Sequence, residues 1–247
     1  MYIINLFCDA SIDNSRKIAC GGCHIFIQDN GQFIHSYDKM YIQHDATNNS
    51  AEILAIWTGV NEAIKLRYER PDAIFRLFSD SKISLYGLRD WMKNWIQTSQ
   101  QKHSDILISS SGTEVANQQR FIDIYNLIVE TGLNIELYHQ RGHVGESGKV
   151  DLGRARVQFI RANKVSPENL GLDIRILSEC NSIIDHATRN AIREYITTGK
   201  NTKYNASVIM PDPLYHYVMA DKLPQYIQQI NKTSVVSRHD FKGGYNQ

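Results

Sequence analysis

The stretch from Ile74 to Trp95, IFRLFSDSKISLYGLRDWMKNW, constrains the fold of this chain more than any other. Ile74, Phe75, Leu77 and Phe78 make an apolar run of strand character that delivers Asp80 at its carboxyl end. Ser81 and Lys82 then open a helical segment that carries Trp91 and Trp95. In open α/β sheets ligands collect in the crevice beyond the carboxyl ends of the strands, so an acid delivered there faces substrate and solvent. Taken alone, Asp80 is explained as well by capping the helix that follows. Its meaning depends on the rest of the chain.

Tyr2 to Asp9 is a second β-rich run that also ends on an acid, and Ser11 to Gly22 reads as a polar turn. Gly22 to Gln28 is a strand, Asp29-Asn30-Gly31 a hairpin signal and Gln32 to Ile42 a third strand, which together form an antiparallel meander. The period then changes. Ile53, Trp57, Val60 and Ile64 recur at steps of three and four, the stripe of an amphipathic helix, with capping residues from Thr47 to Ser50 before it and Glu52 in its first turn. Arg70-Pro71 stops it. After the Asp80 strand come a helical region from Ser81 to Ile96, a polar connection from Gln97 to Gly112, a helix from Glu114 to Thr131, and a strand from Asn134 to His139. This order predicts an α/β fold: a five-stranded mixed sheet, three antiparallel strands and then two parallel ones, flanked by helices. Gly148 to Asp173 has no firm period, Ile183 to Ile196 reads as a helix with Asp185 near its start, and the chain closes on a polar end. The expected organisation is one domain over residues 1–196 with an insertion at about 146–180, and a C-terminal extension over 197–247.

Composition narrows the class. A chain of 247 residues with 42% hydrophobic residues can bury a core. A net charge of +1 gives no global field toward nucleic acid and leaves room only for a local basic patch. No run approaches the roughly 18 to 20 apolar residues of a membrane span, and no secretory leader precedes the first strand, so the expectation is a soluble cytoplasmic protein with no membrane contact. Cys20-Gly-Gly-Cys23 is the one cysteine pair with metal or redox spacing. Without a second such pair or a paired histidine motif, reduced structural thiols are the better reading.

Four carboxylates stand out by position: Asp9, Glu52, Asp80 and Asp185. They meet at one edge if the first and fourth strands are parallel neighbours and both helices point their first turns that way. Crowded acids raise one another's pKa values and need protons or cations to compensate. Hard divalent ions suit such a site, and two of them about 3.5 to 4 Å apart support in-line phosphoryl displacement.

The pieces FCDAS around Asp9, TNNSAE from Thr47 to Glu52, FSDSK around Asp80, DWMKNW from Asp90 to Trp95, GHVG around His143 and IIDHATRNA around Asp185 resemble the type 1 ribonuclease H family in identity and order. That family cuts the RNA strand of RNA/DNA hybrids, and the resemblance runs from Tyr2 to Tyr195. It implies that Asp9, Glu52, Asp80 and Asp185 hold two metal ions, Mg2+ first and Mn2+ second. It also implies that His143 assists proton movement or product release from a loop. Asn48 and Asn49, with Lys82, are implied to meet the hybrid in its minor groove, where the 2′-hydroxyl tells RNA from DNA. Thr47 is implied to reach a phosphate, and Trp91, Lys93 and Trp95 lie where the family places a basic protrusion. The implied partner is the RNA/DNA hybrid; no protein partner is predicted.

Plainer readings stand beside these. Trp91 and Trp95, four apart, suit packing; Asn48 and Asn49 suit helix capping; His143 suits an ordinary surface position. Asp151, in KVDLGRAR soon after His143, is the rival fourth carboxylate. The chain departs from the family in having Ala10 after its first acid, where glycine is frequent, and in a less basic segment after Trp95. Two other functions fit the same fold: a nucleic-acid-binding module without activity, and a related nuclease acting on DNA or structured RNA.

Overall fold

The computed structural model describes residues 1–142, 151–199 and 207–209. Strand β1 (Tyr2–Asp13) has an apolar, doubly buried middle, which fits a central position. It pairs antiparallel with β2 (Ile18–Asp29) and parallel with β4 (Ile74–Ser79). With β3 (Gln32–Gln43), β5 (Ile135–His139) and β6 (Ser207–Ile209), the sheet order is β5-β4-β1-β2-β3-β6. The five expected strands are present with the expected directions. The short β6 adds a sixth, parallel to Tyr41–Gln43 of β3, from the stretch read only as an extension.

The first strand is longer than its apolar run. Its polar second half, read as a turn, pairs through Asp13↔Ile18, so Asp9 lies inside β1 instead of at its end. The two acids still come together, because the parallel ladder with β4 stops at Cys8↔Ser79, and Asp9 and Asp80 are the next residues along the chain after that pair.

The Cys20-Gly21-Gly22-Cys23 stretch is a spacing device. Successive strand residues face opposite sides of a sheet. A Cβ on Gly21 would meet the backbone of Ala55 at 2.7 Å, and one on Gly22 would meet Ile184 Cδ1 at 2.7 Å and Thr188 Cγ2 at 2.8 Å. Glycine thus lets one helix approach each face. All four cysteines are free and buried. Cys20 joins the cluster of Met40 and Ile184, whereas Cys23 joins that of Leu6 and Val60, so the two thiols do not share a site.

On the first face lie α1 (Asn48–Glu69) and α4 (Gln118–Thr131). Thr47 is the N-cap of α1, in a capping box with Ser50, so Asn48 and Asn49 are its first residues and not its caps. Helix α1 is buried on more than the single predicted stripe, since Leu54, Ala55, Thr58 and Gly59 are also enclosed between sheet and helices. Helix α4 starts at Gln118, later than Glu114, because Glu114 bridges back to Ile108 and Asn117 adopts a left-handed φ of 56°. After β4, α2 (Lys82–Tyr86) passes through a π-helical turn (Gly87–Trp91) into α3 (Met92–Gln101), which continues past Ile96.

The second face is covered by α5 (Leu152–Asn163), which lies in the stretch where no period was evident, and by α6 (Ile174–Thr198), which follows it. Only Ala155, Phe159 and Asn163 of α5 are buried, too thin a stripe to read in sequence. Phe159, Leu170, Leu172, Leu177 and Cys180 pack on Phe7, Phe78 and Tyr138. Helix α6 begins at Ile174, capped by Asp173, because Leu177 and Cys180 extend its buried face upstream. Asp185 is therefore in mid-helix and does not open it. No helix among the described residues is long and apolar enough to cross a membrane.

Candidate active site

Three elements converge at the crevice between β1 and β4. Asp9 is carried by β1, Asp80 follows β4 directly, and Glu52 lies just past the first turn of α1, which Gly21 admits close to the sheet. One carboxylate oxygen from each of Asp9, Glu52 and Asp80 lies within 4.8 Å of the other two. Asp9 is buried, and its Oδ1 accepts a hydrogen bond from the Ala10 N–H at 2.7 Å. Glu52 Oε2 is buried with no hydrogen-bond partner among the described residues.

The electrostatic consequence is large. Burial pushes the Asp9 carboxyl well above its ordinary value, and the charges of Asp80, Glu52 and Asp185 push in the same direction against the Ala10 hydrogen bond. Burial, followed by the charges of Asp80 and Asp185, raises Glu52 to about 8. The acids of such a set repel one another. Its hard oxygen donors and the orphaned Glu52 oxygen fit a divalent cation of the magnesium or manganese kind.

Asp185 reaches the same neighbourhood from the other face of the sheet. It is buried on α6, close enough for its charge to act on both Asp9 and Glu52. One guanidinium nitrogen of Arg189 donates to both its carboxylate oxygens, at 2.7 and 2.6 Å. Asp151 is placed differently: it is exposed, caps α5 and accepts from the Arg154 N–H at 2.7 Å.

Thr47, Asn48 and Asn49 form an exposed corner at the start of α1, and Lys82 is exposed at the start of α2. Trp91 is 38% exposed, edge-on to Tyr86 and tilted against Trp95, whereas Trp95 is partly buried and packs edge-on to Phe121. The two tryptophans thus divide between surface and packing. His143 lies outside the described residues.

The tertiary structure adds neighbours that the sequence did not single out. His139 ends β5 opposite Ser79, and its ring donates a hydrogen bond to the backbone carbonyl of Asp80. Burial, then the nearby Lys82 charge, lowers it to about 4, so it is neutral at physiological pH. Asn163 of α5 holds the His139 backbone at both its N–H and its C=O, at 2.8 and 2.7 Å. Gly142 packs so tightly on Asp80 that a Cβ there would overlap its Oδ2. A strand terminus such as NIELYH gives one usable signal, its expected place beside the Asp80 strand; Gly142 and Asn163 gave none.

The chain matches the RNase H family model over residues 2–152, a span that contains Asp9, Glu52, Asp80, His143 and Asp151 and stops short of Asp185. It is 29% identical over 118 residues to a protein named Ribonuclease H from Ruthia magnifica subsp. Calyptogena magnifica, covering 45% of this chain and 68% of that protein. Among solved structures it is similar to LC11-RNase H1 in complex with RNA/DNA hybrid, at 16% identity and a TM-score of 0.37, over 71% of this chain and 99% of the other. It is also similar to RNase H1 from the halophilic archaeon Halobacterium salinarum NRC-1, at 15% identity and a TM-score of 0.36, over 68% and 97% of the two chains. With the family match spanning most of the chain and Asp9, Glu52 and Asp80 of the matched span gathered at the β1–β4 crevice, this chain belongs to the RNase H family, a family of endonucleolytic hydrolases.

Proposed function

We propose that this chain hydrolyses the RNA strand of RNA/DNA hybrids with the help of two divalent ions, Mg2+ or Mn2+. The observation that carries the reading is the convergence of Asp9, Glu52 and Asp80 within 4.8 Å, with Asp185 adding its charge. When bound, the ions supply an activated water and stabilise the leaving oxygen of an in-line displacement. Asp9, Glu52, Asp80 and Asp185 would hold the ions, with Asp9 central because the charges of the other three all act on it. Asp185 is preferred to Asp151 as the fourth acid because it is buried beside Asp9 while Asp151 is exposed and engaged in capping.

Asn48 and Asn49, exposed at the start of the helix that carries Glu52, would meet the minor groove and its 2′-hydroxyls, together with the exposed Lys82. The Thr47 hydroxyl accepts from the Ser50 N–H, which leaves its proton available to a phosphate. Trp91, 38% exposed at the end of the π turn, would contact the DNA strand. His143 takes the role of moving a proton or releasing product. The soluble, cytoplasmic setting expected from the sequence fits this substrate.

The test is cleavage of an end-labelled RNA/DNA hybrid with Mg2+ and then Mn2+, beside RNA duplex, DNA duplex and single strands, with Asp80→Asn as control. The expected result is cutting confined to the RNA of the hybrid and abolished by the substitution. Cutting of DNA or structured RNA assigns a different substrate. A folded protein that binds the hybrid and cuts nothing overturns the catalytic reading in favour of a binding module.

A further inference from the structure

Helix α6 is fastened to the sheet on both sides of Asp185. Upstream, Asn181 Oδ1 accepts from Gln140 Nε2 at 2.5 Å, and both residues are buried at the end of β5. Downstream, the Thr188 hydroxyl is 3.1 Å from that of Ser11 on β1, and Gly22 leaves Ile184 and Thr188 in close contact with β2. The backbone that carries Asp185 is thereby fixed against the strand that carries Asp9.

Arg189, one turn further along α6, is different. Its side chain is 39% exposed, whereas that of Asp185 is 7% exposed. A single Nη2 serves both oxygens of Asp185, and no other hydrogen bond of its guanidinium is seen among the described residues. The pair therefore joins an anchored acid to a cation on a long side chain that reaches solvent. Arginine is always charged, so it supplies a permanent counter-charge at the lip of an acidic cluster.

We propose that Arg189 is a positioning residue that acts as the resident counter-cation of Asp185 and competes with divalent ions for it. This rests on the metal-dependent reading above. A divalent ion that takes Asp185 displaces the guanidinium, because the helix under Asp185 is pinned and the arginine is the partner free to turn outward. Arg189 in this way lowers the affinity of the cluster for metal.

Two measurements test the inference. Calorimetric titration of Mn2+ into metal-free protein at pH 8 compares the wild type with Arg189→Gln, Arg189→Met and Arg189→Lys. Loss of a partly exposed pair corresponds to a change of roughly five-fold, so the Gln and Met variants are expected to bind about five-fold more tightly and the Lys variant to stay near the wild type. In the wild type, NMR signals of the Arg189 guanidinium protons are expected to be protected from exchange without metal and to lose that protection as Mg2+ saturates the site. Unchanged or weaker Mn2+ binding by the neutral variants, or protection that persists at saturating Mg2+, overturns the inference and leaves the metal reading intact. No divalent binding by any form overturns both.

Discussion

Replacing Glu52 with Gln should make the metal-free protein more stable while ending catalysis. Glu52 is held at about 8, first by burial and then by Asp80 and Asp185, against an ordinary value of 4.5. For a carboxyl whose value is raised in the fold, the neutral form is favoured there. The stabilisation is fully present below about pH 4.5 and is lost as pH rises from there through about 8. At pH 8 the full linkage cost is on the order of 4 kcal/mol. Allowing for relaxation of a crowded set of acids, about 2 to 4 kcal/mol is recoverable by an isosteric neutral group. At about 2 to 4 °C per kcal/mol for a chain of this size, Glu52→Gln should raise Tm at pH 8 by roughly 4 to 16 °C. The assay is thermal unfolding in EDTA at pH 5 and pH 8, with and without the substitution. The wild type should lose stability between the two pH values and the variant should lose much less. Excess Mg2+ should restore the wild type at pH 8 and do less for the variant. A variant no more stable than the wild type at pH 8 in EDTA would refute the claim that the metal-free cluster is strained by its own charge.

Three further outcomes follow from close contacts. Gly21→Ala should cost about 1 to 3 kcal/mol of stability by driving a methyl into the backbone of α1 at Ala55, read as a lower denaturant midpoint; an unchanged midpoint contradicts the packing of α1 on β2. Gly142→Ala should leave the fold largely intact but displace the Asp80 carboxylate, lowering kcat on the hybrid by roughly 100-fold; full activity would show that Asp80 does not need its observed position. Thr47→Ala should cost about 1 kcal/mol by removing the cap that accepts from the Ser50 N–H, and Thr47→Ser should keep most of it; equal midpoints for the two would argue against the capping box.

Much of the site was legible because its chemistry is placed by local rules. Asp80 follows an apolar strand, Glu52 follows a capped helix start, and both positions can be read from a few adjacent residues. Asp185 was legible as a residue but not in its setting. Sequence placed it at a helix start, yet α6 begins at Ile174 and holds the acid in mid-helix, because the upstream contacts of Leu177 and Cys180 are with Phe7 and Phe78, remote in sequence. The thin buried stripe of α5 escaped for the same reason, since Phe159 packs on Phe78 and Tyr138.

The sequence by itself determined the order of the first five strands and the helices between them, the acids available to the candidate site and the family to which the chain belongs, since periodicity, capping and short motifs are properties of neighbouring residues. Only the tertiary structure decided how close those acids come, that Asp185 is paired with Arg189, and why two adjacent glycines stand in β2. These depend on β1 pairing with β4, and on α1 and α6 pressing on opposite faces of one strand pair. Such approach distances are set by packing between segments far apart in the chain, so no local stretch of sequence carries them.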